Sequence, residues 1–313
     1  METFRELDNF KKTDNSVVTI GSYDGLHRGH QKIIRKLVSK SLQYNVDPVV
    51  FTFDPHPRLI LGATNQSELK IIMDFNQKLK ILETLGVKKT YVIPFTKEFS
   101  KMKALHFMDK IVIPISSPKE LVVGYDHHFG HKREGNPQFL SNFCKKKGIK
   151  LEIIKSVKDG DAIISSTYIR SLIMNGFIKR ANSELGFLFG FNTVSVRGSG
   201  RGKDLNFPTA NIVPKEFNQL IPKVGVYFCK GLVDNVSHFG MCNIGFRPTF
   251  DESDLVLETH FFIENMGQTY GKVIFIEFFE RIRDEIKFSS RSNLVKQLTI
   301  DKEKCYQLMN KYS

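Results

Sequence analysis

Beyond Ser16 the chain alternates short apolar, β-branched runs with longer stretches of helical period. Val17-Val18-Thr19-Ile20 carries no charge and predicts a strand buried on both faces. Residues 29–44 read as a helix, and Pro48-Val49-Val50-Phe51-Thr52-Phe53 as the next strand. Helical stretches at about 77–85 and 104–112 flank the strand Thr90-Tyr91-Val92-Ile93. Glu120-Leu121-Val122-Val123-Gly124, a helix over 137–147 and Leu151-Glu152-Ile153-Ile154 complete the alternation. Strand–helix repetition of this kind predicts a parallel, Rossmann-like sheet with ligands bound beyond the strand C-termini.

The rhythm changes near residue 185. Short runs follow at Thr193–Arg197, Val226–Gly231, His238–Ile244, Leu255–Phe262 and Val273–Phe279, separated by Gly, Pro, Asn and Asp. They predict an antiparallel barrel or sandwich, closed by one helix over about 290–310 that Ser289 or Ser290 caps. The expected domains are 1–184 and 185–313. At roughly 150 residues per domain, a chain of 313 residues holds two.

Composition sharpens this picture. The apolar fraction of 41% and charged fraction of 25% are those of a globular protein. No apolar run approaches the roughly 18 residues of a membrane span, and the opening residues show no signal-peptide pattern. The four cysteines form no C-x-x-C pair, so a reduced, cytoplasmic protein is expected. The net charge of +13 sits mainly in the first half: residues 1–184 hold 30 basic and 19 acidic side chains, residues 185–313 hold 16 and 14. A basic half suits phosphate-rich ligands, and it keeps an RNA- or flavin-binding regulator as a rival reading. No basic stripe interleaves with aromatics, so nucleic acid is not the expected partner.

The candidate chemistry starts where the first strand ends, in Gly21-Ser22-Tyr23-Asp24-Gly25-Leu26-His27-Arg28-Gly29-His30. Gly21, Gly25 and Gly29 let the backbone turn and approach a ligand, and the helix start beyond favours phosphate. His27 and His30, three apart, can each donate to a phosphoryl oxygen. Ser165, Ser166 and Thr167 read as a hydroxyl-capped helix start, with Arg170 one turn later to fork onto phosphate oxygens. His56 is fixed between two prolines, and Asp126 follows a strand. His127, His128 and His131 lack the carboxylates or cysteines that would complete a metal site. In the second half, Gly198, Gly200 and Gly202 form no Walker A pattern but could make an anion-binding loop. Glu258, on a strand face with Val256 and His260, is either an exposed strand carboxylate or a general base.

These segments together resemble the bacterial bifunctional riboflavin kinase/FAD synthetase family. The opening resembles that family's T-I-G-x-F-D-G-V-H-x-G-H, within the H-x-G-H signature of nucleotidylyl transferases. Phe53-Asp54-Pro55-His56-Pro57-Arg58, the loop from Gly124 to Gly130 and Ile164-Ser165-Ser166-Thr167-Tyr168-Ile169-Arg170 resemble its F-x-P-H-P, V-G-x-[DN]-F-x-F-G and I-S-S-T-x-I-R segments. Further on, Pro208-Thr209-Ala210-Asn211, Asn243–Phe250 (with Arg247) and Glu258-Thr259-His260 resemble the P-T-A-N, N-I-G-x-R-P-T-F and E-x-H segments. Arg281 and Arg283 match R-x-R-x-E-x-K-F. The resemblance implies a FMN adenylyltransferase domain before a β-barrel riboflavin kinase domain. It implies riboflavin, FMN, FAD and ATP as substrates and products, with Thr209 and Asn211 serving Mg²⁺–ATP. His127 stands where the family usually has phenylalanine, and Tyr168 where a basic residue is common. Those departures motivate a second rival, a kinase whose adenylylation domain is weakened. The oligomeric state is left open.

Overall fold

A computed structural model describes residues 1–5, 10–62, 69–197, 205, 207–234, 236–248, 253–263 and 270–312. It divides into two compact units: Met1–Ile71 with Phe75–Ser166, and Ile72–Asp74 with Thr167–Ser313.

The first unit is built on six strands: β1 (Glu2–Phe4), β2 (Ser16–Ile20), β3 (Asp47–Asp54), β4 (Lys89–Pro94), β5 (Pro118–Gly124) and β6 (Lys150–Ile154). Their order is β1-β4-β3-β2-β5-β6, and every pairing is parallel. Two short strands, β7 (Lys158–Asp159) and β8 (Ala162–Ile163), pair antiparallel as a separate two-stranded sheet. All five residues of β2 are buried, as its uncharged sequence requires of a central strand covered on both faces. The helices are α1 (Arg28–Tyr44), α2 (Pro57–Leu61), α3 (Phe75–Thr84), α4 (Ala104–Phe107), α5 (Ile113–Ser116) and α6 (Pro137–Lys147). A π-helical turn, Met108–Val112, joins α4 to α5. The limits of α6 are written in its caps: the Asn136 side chain accepts from Phe139 N–H, Pro137 occupies the first turn, and Gly148 closes it in the left-handed region. Val18, Val49, Phe51, Tyr91, Leu121 and Val123 form the sheet side of the core, against Ala104, Phe107, Met108 and Leu140. Each fully buried side chain of this size stabilises by roughly 1.5–3 kcal/mol.

In the second unit α7 (Ser166–Met174) and α8 (Ile178–Leu185) precede the barrel. The Asn182 side chain fixes α8 to it, donating to the Phe278 carbonyl (2.8 Å) and accepting from Phe189 N–H (2.7 Å). Asp74 accepts a 2.8 Å hydrogen bond from the Asn192 side chain, which ties the short segment Ile72–Asp74 to this unit. The barrel strands are β9 (Phe189–Val196), β10 (Ala210–Pro214), β11 (Gly225–Val233), β12 (Val236–Pro248), β13 (Ser253–Phe261) and β14 (Val273–Arg283). They close in the order β10-β13-β12-β11-β14-β9, all antiparallel. Alternation sorts the side chains. Tyr227 joins Phe189, Phe191 and Phe278 in one buried aromatic group, while Val226 and Phe228 sit under α9 (Arg291–Tyr312). Ser290 caps α9, its hydroxyl accepting from Asn293 N–H at 3.2 Å. Arg283 forks onto Asp301, which is 2% exposed, with N–O distances of 2.7 and 2.9 Å, and so bolts α9 to β14. Arg283 is thereby a half-buried anchor on a buried carboxylate.

Candidate active sites

The first site gathers at the C-terminal edge of the parallel sheet. Gly21 continues β2, its N–H still bonded to the Phe51 carbonyl (3.0 Å). Tyr23, Gly25 and Leu26 then take positive φ values of 50°, 78° and 34°, so the chain reverses sharply. Tyr23 folds back over Gly21, where a Cβ would lie 2.7 Å from the ring. Gly21 is therefore required by close approach. The Tyr23 hydroxyl bonds the Thr19 hydroxyl at 2.6 Å, and burial pushes its pKa up.

His27 is the N-cap of α1. Its Nδ1 accepts from His30 N–H at 3.4 Å, which puts the ring proton on Nε2. The His27 and His30 rings stack with centroids 3.7 Å apart and planes 20° apart, while the Tyr23 ring meets His30 edge-on at 5.3 Å. Burial first, then His27 and Lys78, holds His30 well below the usual histidine range, so at neutral pH it is an uncharged hydrogen-bond donor. Its Nδ1 is buried without a partner among the described residues. Gly29 leaves room for the stack: a Cβ there would sit 3.1 Å from the His27 ring.

Other expected residues arrive from neighbouring strand ends. His56 follows β3 and caps α2, its Nδ1 accepting from Arg58 N–H (3.2 Å). Asp126 follows β5, and its carbonyl accepts from His128 Nδ1 (2.8 Å). Because the sheet is parallel, these ends lie on the same edge as the Gly21 turn. Ser165 leads into α7, and the Ser166 hydroxyl donates to the Asp24 carbonyl at 2.8 Å, tying that helix start to the turn. Asp24 itself is only 4% exposed. Thr167 and Arg170 continue α7 into the second unit, Arg170 one turn beyond Ser166.

Two features escaped the sequence reading. Lys78 of α3 is buried at 5% exposure, and its ammonium donates to the Ser22 carbonyl at 2.8 Å. It shares the buried face of α3 with Leu82, an apolar position where a lysine is out of place. The departure at His127 also has a geometry: the ring packs on Phe129 at 5.3 Å and buries its Nε2 without a partner among the described residues. Burial, with His128 adding to it, lowers its pKa to about 4.

The second site lies on the barrel. Register places Asn211, Glu258 and Asn243 side by side across β10, β13 and β12, on one face of the sheet. Asn211 is buried and Glu258 half-buried. His260, two residues along the same face, donates from Nδ1 to the Pro208 carbonyl (2.8 Å) and pins the Pro208-Thr209 segment that enters β10. Phe207 and Phe262 flank His260 at 5.2 and 5.7 Å, and Lys302 from α9 lies over both of those rings and Tyr306. Burial first, then Lys302, lowers the His260 pKa. Glu285 packs on Gly245, where any Cβ would collide with its carboxylate. Thr209 precedes β10 by one residue. Arg247 lies in β12 opposite Asp254, but its side chain, like Gly198, Gly200 and Gly202, falls outside the described residues. Among the described residues no three His, Cys, Asp or Glu side chains gather to hold a metal on their own, and no helix is long and apolar enough to cross a membrane.

A histidine pair capping the first helix of a parallel sheet, joined in one chain to an antiparallel barrel with a carboxylate between two asparagines, fits a two-site transferase of nucleotides and phosphate. Comparison with known proteins agrees. The family model for FAD synthetase matches residues 9–168 and that for riboflavin kinase matches residues 185–309. Proteins named bifunctional riboflavin kinase/FMN adenylyltransferase from Listeria monocytogenes and Haemophilus influenzae are 31% and 32% identical to it. They cover 92% and 99% of this chain, over 91% and 100% of their own lengths. A crystal structure named as a macrolide-efflux protein from Streptococcus pneumoniae superposes with a TM-score of 0.87 at 28% identity, covering 96% of this chain and 97% of that one. The chain belongs to the bifunctional riboflavin kinase/FMN adenylyltransferase family, and it carries both enzymes of that family.

Proposed function

We propose that residues 1–184 and 185–313 work as separate enzymes in sequence, with the residue roles that follow. In the barrel, Glu258 takes the proton of the terminal ribityl hydroxyl of riboflavin. That oxygen attacks the γ-phosphorus of ATP, the bond to ADP breaks, and FMN forms. The placement of Glu258 between Asn211 and Asn243 is the observation that carries this assignment. The Thr209 hydroxyl and the Asn211 side-chain carbonyl are hard oxygen donors that fit Mg²⁺ arriving with the ATP phosphates. When bound, the ion neutralises phosphate charge, while Glu258 and the asparagines orient the hydroxyl. Gly198, Gly200, Gly202 and Arg247 complete the proposed nucleotide and flavin contacts.

In the α/β domain a phosphate oxygen of FMN attacks the α-phosphorus of ATP, pyrophosphate leaves, and FAD forms. The stacked pair supports this reading, since its capping bond leaves His27 Nε2–H as a donor and His30 stays uncharged. Both donate to phosphate oxygens as charge builds, and Arg170, Ser165, Ser166 and Thr167 hold the triphosphate. Gly21, Gly25 and Gly29 give the backbone its close approach, and Asp24, His56 and Asp126 border the nucleotide and flavin. No covalent intermediate is needed. The four cysteines are free and buried, which fits a cytoplasmic location.

The test is direct. Purified protein with riboflavin, ATP and Mg²⁺ should give FMN and then FAD on chromatography. FMN alone would favour the weakened-adenylylation reading, and salt-sensitive RNA binding without turnover the regulator reading.

A further inference from the structure

Lys78 belongs to none of the motifs above, yet it lies against the first of them. An ammonium taken out of water is stable only when paired and fully hydrogen-bonded. Lys78 has three N–H donors, and among the described residues one acceptor meets them, the Ser22 carbonyl at 2.8 Å. The Phe75 ring, 5.3 Å from Nζ, adds a weak cation–π contact. No carboxylate stands within ion-pair distance among the described residues. Burial pushes the Lys78 pKa below the ordinary lysine range, and Asp24, in the turn, and Asp54, at the end of β3, oppose that from further away. On its other side it acts on His30, whose remaining neighbours are the stacked His27 and the edge of Tyr23. A buried lysine kept short of partners beside a phosphate-type turn is poised for an anion that comes from outside the chain.

We propose that Lys78 is a positioning residue of the adenylyl-transfer site: its ammonium fixes the Gly21–Gly25 turn through the Ser22 carbonyl and supplies positive charge behind the His27–His30 pair as phosphate enters. The inference rests on the assignment of that pair to adenylyl transfer. Lys78 makes and breaks no bond in the reaction. Its charge offsets that of the entering phosphates and adds to the burial and the His27 contact that hold His30 neutral, so that His30 donates a hydrogen bond without competing for a proton.

The test compares wild type, Lys78→Met and Lys78→Arg in the full chain, with FMN formation from riboflavin as an internal control on folding. Lys78→Met should lower kcat/KM for FAD formation from FMN roughly 100-fold, a loss typical of one preorganised electrostatic group. It should leave FMN formation within about twofold. Lys78→Arg, which keeps the charge, should recover most of the loss. The readout that a purely structural lysine would not move is the titration of the His30 ring, followed by NMR. It should shift to higher pH by about half a unit or more in Lys78→Met, and the acid limb of FAD formation with it. In Lys78→Arg it should not shift. Three results overturn the proposal: full FAD formation in Lys78→Met, an unmoved His30 titration, or equal damage in Lys78→Met and Lys78→Arg with FMN formation intact. If Lys78→Met loses both activities, Lys78→Arg decides alone, and it must form FAD at near wild-type rates for the proposal to stand. Failure of wild type to make FAD sinks the underlying assignment instead, so the two failures are distinct.

Discussion

Replacing His127 with phenylalanine should make the protein less sensitive to acid. His127 leans on Phe129, with its Nε2 buried and unpartnered among the described residues, and its pKa in the folded chain is about 4 against an ordinary 6.5. Between those values the unfolded chain binds the proton and the folded chain does not. Stability is therefore lost as pH falls through 6.5, and the loss levels off below about 4. From pH 7.5 to pH 5.0 the linkage amounts to about 2 kcal/mol for this one group. Phenylalanine removes that dependence. It also removes a buried, unsatisfied nitrogen, adding about 1 kcal/mol at neutral pH. The assay is urea unfolding of wild type and His127→Phe at pH 5.0 and 7.5, followed by circular dichroism through the transition of the α/β unit. Wild type should lose about 2 kcal/mol more than the variant between the two pH values. His30 and His260 titrate in both proteins and cancel from the difference. Equal acid sensitivity in the two proteins would refute the reasoning.

Further expectations concern the sites and the frame. Glu258→Gln should lower FMN formation by roughly 100- to 10,000-fold, the range of a general base, and leave FAD formation from added FMN intact; chromatography of the flavins reads both. Gly21→Ala should impair FAD formation selectively, because the new methyl meets the Tyr23 ring and shifts the turn; KM and kcat for FMN adenylylation check it. Asp301→Ala should strip Arg283 of its buried partner and destabilise the barrel unit by about 3 kcal/mol, measured as a lower unfolding midpoint.

Much of this was legible along the chain, for identifiable reasons. An uncharged strand such as β2, and a helix such as α6 bounded by Asn136, Pro137 and Gly148, state their own conformation. The expected fold, a parallel sheet followed by a closed antiparallel barrel and a terminal helix, is the observed one. Three-residue spacing placed His27 and His30 on one face, but not the capping bond that sets the His27 tautomer, which depends on the φ and ψ of the turn. Strand β10 and helix α8 escaped because each is short and held by tertiary partners, α8 through Asn182. The attachment of Ile72–Asp74 to the second unit rests on contacts distant in sequence, among them Asp74 with Asn192 and the Ile72 carbonyl with Gln219. Lys78 was invisible for a related reason. A lysine in an amphipathic helix reads as a solvated cation until the fold shows what lies over it.

The central claim is two independent active sites on one chain, and a reciprocal pair of variants tests it most directly. Glu258→Gln and the double variant His27→Ala/His30→Ala would each be supplied with riboflavin and ATP, then with FMN and ATP, and the flavins separated. The account predicts that Glu258→Gln makes FAD only from FMN. The double variant should stop at FMN, and the two proteins mixed should carry riboflavin through to FAD. Loss of both activities in either correctly folded variant, or survival of FAD formation without the histidine pair, would contradict it.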